Sequence, residues 1–287
     1  MSDVQSVKIT FFSKNPIECP LCSTKFYKED LLSGRGRLIA GDLSDELRRF
    51  YEPSQKYGEL IPLIYPVIVC PSCYYAAFAA DFQEVSDEAL REFKEDTDQR
   101  IESISIIFKE LDFTTFRELR EGAASFFLAI RCYDYFESRF YPTFKRGLSS
   151  LRAAWLFDDL HGKYSGENYD YLRDLFYRKA RFFYLLALER SQDGQESLES
   201  GLNYGPDIDN NYGYDGFLYI TGLLEYKYGP RSDPEKRAMA LEKGKRIISR
   251  LFGTGKASKS KPSAILEKAK ELYVLMNKEL KEQQVGG

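Results

Sequence analysis

The spacing of apolar residues along the chain changes once, near residue 86, and divides it into two parts. Val7, Ile9 and Phe11 alternate with polar neighbours, the two-residue period of a half-buried strand. Leu63-Ile64-Tyr65-Pro66-Val67-Ile68-Val69 is a β-branched run that predicts a second strand. Between them Gly34, Gly36 and Gly41 punctuate a mixed segment, and Asp42 to Tyr51 reads as one short helix ahead of Pro53. From Ser86 the period becomes that of a helix, with Leu90, Phe93, Ile101, Ile104, Ile107, Phe108 and Leu111 forming a bridge helix over 86–111. Helices follow over 115–140, 143–161, 168–191, 212–228, 234–252 and 262–282. Pro142 restarts the chain at a helix N-terminus, Gly162 and Gly253 close helices, and Asp233-Pro234 supplies an N-cap and a first-turn proline. The expected fold is mainly α: a small β-rich domain over 1–85 with a helical insert, then an α-helical repeat domain over 86–287 ending in a basic helix.

Each predicted strand of the first part leads to a cysteine pair: Cys19-Pro20-Leu21-Cys22 and Cys70-Pro71-Ser72-Cys73. Two thiolates two residues apart sit on one side of a tetrahedral metal and a second pair completes it, so four soft ligands at this spacing select zinc. The strand, knuckle, insert, strand, knuckle order is a zinc-ribbon plan, with one structural Zn2+ per chain and Phe26 packed under the first turn. A four-cysteine site leaves the metal no open position for substrate. An iron site of the same ligand set and a pair of thioredoxin-like redox motifs remain open alternatives. The fifth cysteine, Cys132, lies mid-helix among aromatics and reads as a small buried apolar residue.

The second part pairs helices with short turns. Tyr219 to Gly229, with Gly222 in the first helix and Ala238 and Ala240 in the next, resembles a tetratricopeptide repeat; Gly122-Ala123 to Tyr133 is a looser echo, and an irregular bundle is the alternative. The chain carries 21 Phe and 21 Tyr, enough to fill that core, while the tyrosines of 204–219 offer a peptide groove as a second reading.

Charge separates the parts further. The formal net charge is −3 over 287 residues, so no global field argues for a polyanion. Residues 1–82 hold nine Lys and Arg against ten Asp and Glu, which makes Arg35, Arg37, Arg48 and Arg49 a solvated face. Residues 83–130 hold six basic against twelve acidic side chains. Residues 230–287 hold fourteen against seven, concentrated in 243–250 and 256–270, a surface for RNA, an anionic lipid, an acidic partner or the chain's own acidic bridge helix. The single histidine, His161, sits in a last helical turn as a cap. No glycine-rich phosphate loop, nucleophile elbow or His-Glu-x-x-His helix occurs, so no residue is a catalytic candidate and an enzyme is not expected. No apolar run is long enough to span a membrane, and the paired cysteines suit a reducing compartment; a cytoplasmic protein is expected.

Cys19 to Cys22 with Phe26, the Arg37-Leu38 and Asp42 region, Tyr51, and Tyr65 to Cys73 leading into Tyr75 to Phe78 and Asp81-Phe82 resemble an uncharacterised bacterial family, DUF2225, as do the Gly222 to Gly229 turn and the basic closing helix. The resemblance covers most of the chain. It implies a zinc ribbon followed by helical repeats and supplies no mechanism. Knuckles of this type usually place glycine after the second cysteine; Ser23 and Tyr74 stand there, which predicts left-handed backbone at a cost. The function expected is a non-enzymatic adaptor that binds a protein partner through its helices. A nucleic-acid-associated protein using the ribbon and basic C-terminal helices is the alternative, and a thiol redox enzyme the third reading.

Overall fold

The structure, a computed structural model, describes residues 9–198, 202–252 and 263–285. Eight short strands come first: β1 (Thr10–Phe12), β2 (Ile17–Glu18), β3 (Lys25–Phe26), β4 (Glu29–Leu31), β5 (Ile39–Leu43), β6 (Arg49–Glu52), β7 (Val67–Val69) and β8 (Ala76–Phe78). They pair antiparallel as β1 with β4, β2 with β3, β5 with β6 and β7 with β8. The helices are α1 (Asp87–Glu95), α2 (Thr97–Ser105), α3 (Leu119–Cys132), α4 (Pro142–Lys163), α5 (Tyr169–Gln192), α6 (Gly213–Tyr228), α7 (Pro234–Ser249) and α8 (Ser263–Val285). A small strand region followed by a mainly helical region is the fold class the periodicity implies. Val7, Gly253 and the lysine-rich stretch 256–261 lie outside the described residues.

From α3 onward each helix packs on the next in sequence, and α8 also reaches α6. Close approach needs small residues. A Cβ on Gly222 would lie 2.6 Å from Ile248 of α7, and one on Gly122 would lie 2.6 Å from Ile64, at the contact between α3 and the strand region. Asp233 caps α7 by accepting from the Lys236 amide at 3.1 Å, with Pro234 in the first turn, as expected. The helix expected over 86–111 is two helices meeting at Asp96, whose carboxylate takes Arg100 and Arg131. Tyr204, Tyr212 and Tyr219 are buried in the core, the stronger of the two readings for that stretch.

The insert between the cysteine pairs is not helical. Residues 42–51 form the end of β5, a tight tip and β6. Ser44 organises the tip: its hydroxyl accepts from the amides of Glu46 and Arg48, and Leu47 turns with φ of 60°. Tertiary burial overrides the helical period here. Leu47 is fully buried, and the Glu46 carboxylate accepts from Trp155 Nε1 at 2.5 Å, the Tyr177 hydroxyl at 2.7 Å and Lys227 Nζ at 3.1 Å. A carboxylate with three donors of its own compensates for leaving water.

The arginine reading changes with it. Arg35 is exposed, as a solvated face requires, but Arg48 and Arg49 dock the hairpin. Arg48 forms a two-pronged ion pair with Asp159 of α4, and Arg49 reaches Asp209 while its amide donates to Asp207. Lys268 of the basic α8 pairs with Asp45 of the same tip, so that helix meets the insert rather than the acidic bridge.

Candidate metal centre

The two cysteine pairs sit at the tips of two hairpins, β2 with β3 and β7 with β8. Their backbones repeat one pattern. In the first, the Cys19 amide donates to Thr24 and the Ser23 amide to Cys19, both at 2.9 Å; in the second, Cys70 donates to Tyr75 at 2.9 Å and Tyr74 to Cys70 at 3.0 Å. The residue after each second cysteine is left-handed, with φ of 60° at Ser23 and 55° at Tyr74. The position predicted from the missing glycines is therefore the strained one, and Tyr74 offsets part of the cost by setting its ring edge-on to Phe113 at 5.6 Å. Phe26 is buried beneath the first turn against Phe82.

The hairpins bring all four sulfurs within 4.8 Å of one another. Cys19 Sγ lies 3.7 Å from Cys73 Sγ, and Cys22 Sγ 3.6 Å from Cys70 Sγ. Tetrahedral zinc with bonds of about 2.3 Å would set its sulfurs about 3.8 Å apart. The donor set fits a thiophilic ion of that size. Mutual contacts also govern the protons: hydrogen bonds from Cys19 and Cys73 hold the Cys70 thiol far down, while the contact with Cys70 pushes Cys19 up to about 12. Thus one thiolate is stabilised by its neighbours, and a cation among them would favour all four as thiolates.

The helical region closes the second knuckle. Arg100 of α2 is fully buried and donates from Nε and Nη2 to the Cys73 carbonyl at 3.1 and 2.9 Å. Cys132 at the end of α3 accepts from the Ala76 amide at 3.3 Å, so it packs as a buried residue and also satisfies a backbone donor. Burial pushes its thiol up to about 11. Sequence reasoning missed Arg100, although a charge seven residues after Phe93 and four before Ile104 falls on the apolar face of that segment. Nothing in the sequence marks Glu46. His161 falls in the last turn of α4 as expected, but its Nδ1 meets no hydrogen-bond partner among the described residues.

The profile of a family described as an uncharacterized protein conserved in bacteria, DUF2225, matches residues 12–276. An uncharacterized protein of Borreliella burgdorferi (strain B31) is 43% identical over 275 residues, covering 96% of this chain and 98% of that one. No solved structure matches. No helix among the described residues is long and apolar enough to cross a membrane.

Proposed function

We propose that this chain, which belongs to the bacterial DUF2225 family, is a non-enzymatic adaptor in which a zinc ribbon steadies a helical domain that holds another protein. The observation that carries the reading is the closed cluster of Cys19, Cys22, Cys70 and Cys73. Four thiolates saturate a tetrahedral zinc, so the metal shapes the strand region and offers nothing to a substrate. One cluster uses both Cys pairs, which argues against two independent redox motifs. The reading is of a cytoplasmic protein with tetratricopeptide-like helix pairs.

The docking face we assign is a groove of about 910 Å³ between α5, α6 and α7. Leu185, Leu188, Ala240 and Ile247 line it, and Met239 stands 71% exposed at its lip. A flexible, polarizable methionine over an apolar floor suits an amphipathic peptide. Glu189 already pairs with Lys243, whereas Arg246 and Arg250 on the rim form no ion pair among the described residues. The surplus is positive, so the partner is an acidic amphipathic helix.

Photo-crosslinking from position 239 in cells of the source bacterium tests this. One protein product that survives nuclease and disappears in Arg246→Glu supports the adaptor reading. Products lost to nuclease would move the function to nucleic acid and the basic helices.

A further inference from the structure

A second cavity, of about 360 Å³, lies between the turn after β8, one face of α4 and the loop over 202–208. That volume is at the small end of the range for small-molecule sites. Its walls include Phe78, Phe144, Leu148 and Ile208, and its charged groups are Asp81, Lys145 and Arg152. Lys145, Leu148 and Arg152 are spaced at i, i+3 and i+7, which aligns them along a single stripe of α4.

The charges do not balance. Asp81 accepts from Lys145 Nζ and from the Tyr133 hydroxyl, both at 2.5 Å, so that carboxylate is spoken for. Arg152 is 6% exposed, lies over the rings of Phe78 and Phe126, and has no carboxylate within ion-pair distance among the described residues. Asp207, on the adjoining loop, turns its carboxylate oxygens to the amides of Arg49 and Ile208. Arg152 Nε donates to the Pro206 carbonyl at 2.8 Å and Nη2 to the Asp207 carbonyl at 3.4 Å, while Nη1 donates to no described residue. Burial pushes the guanidinium down to about 10, which leaves it charged at neutral pH. A largely buried cation whose remaining donor opens onto the cavity is best completed by an anion there.

We infer that this cavity binds a small organic carboxylate, its head group on Arg152 and its apolar body against Phe78, Phe144 and Leu148. A planar carboxylate matches the fork of a guanidinium better than any neutral group of the same shape. The site is independent of the zinc cluster and of the groove between α5 and α7. It joins the strand region to the helices, so occupancy would tighten that junction.

Calorimetric titration of the full-length, metal-loaded protein with acetate, hexanoate, benzoate and benzamide tests it. Saturable one-to-one binding is expected for hexanoate or benzoate, at least about tenfold tighter than for acetate or benzamide. Arg152→Gln should abolish it. Ile208→Trp, which fills the cavity from the loop side and leaves the guanidinium in place, should weaken it at least about tenfold and keeps the test open where Arg152→Gln fails to fold. No saturable binding of any carboxylate, equal binding of benzoate and benzamide, or undiminished binding to Ile208→Trp would overturn the inference.

Discussion

The two cysteine knuckles share one backbone and differ in almost everything around it. Each is a hairpin tip with the same pair of backbone bonds and the same left-handed residue. The first is open to solvent on one side: Cys19 is buried, but Cys22 is exposed, and its sulfur lies 3.2 Å from the Thr24 hydroxyl. The second is built into the helices, with Cys70 and Cys73 buried, Tyr74 against Phe113, and Arg100 on the Cys73 carbonyl. A metal held by both knuckles would therefore tie a half-exposed loop to a buried one. The lesson is that identical ligand spacing does not mean identical stability. With a metal bound, the Cys22 side of the first knuckle would be held largely by the ion, the second knuckle by the ion and by the protein.

The largest break in that comparison comes from the ligands. Cys70→Ser should lose the metal and the folded strand region, because a structural zinc supplies on the order of 10 kcal/mol of apparent folding free energy. Cys22→Ser should retain more structure, since its position is exposed and serine can keep the contact with the Thr24 hydroxyl. Metal content and thermal melting of the two variants give the order. Equal losses would contradict the asymmetry. Chelation should act in the same sense, with Cys22 alkylated before Cys70 and Cys73, as read by mass spectrometry of partly labelled protein.

Next is Arg100→Gln. It leaves the Cys73 carbonyl without its donor and the Asp96 carboxylate with Arg131 alone, so the cost should stay below the roughly 3–5 kcal/mol of a fully broken buried pair. Urea unfolding should show that loss together with weaker metal retention. Lost stability with unchanged metal affinity would mean that Arg100 serves helix packing alone.

The smallest effects sharpen the comparison most finely, because they differ in sign. Ser23→Gly removes a left-handed cost of about 1 kcal/mol and exposes no packing, so stability should hold or rise slightly. Tyr74→Gly removes the same strain but also a half-buried ring set edge-on to Phe113, and should destabilise by about 1 kcal/mol. Melting both variants with the metal bound reads the difference directly.

Much of this was legible in the sequence. The spacing of Cys19, Cys22, Cys70 and Cys73 identified the cluster, and the absence of glycine after Cys22 and Cys73 located the strained residues. Helix starts at Pro142 and Pro234 were visible because proline and its preceding residue act locally. The insert was not legible, for a physical reason. Leu47 and Glu46 adopt a hairpin tip because Trp155, Tyr177 and Lys227 receive them, and those partners are more than a hundred residues away. Arg48 likewise looked like a surface charge until Asp159 and the Trp155 carbonyl met it. Local period carries no information about a distant acceptor.

The central claim is a single metal held by four sulfurs. Metal analysis combined with X-ray absorption on the purified chain tests it most directly. The account predicts about one zinc per chain with four sulfur neighbours at about 2.3 Å and no nitrogen or oxygen in the inner shell. Well under one equivalent of metal, or a shell with two sulfurs and light atoms, would contradict it.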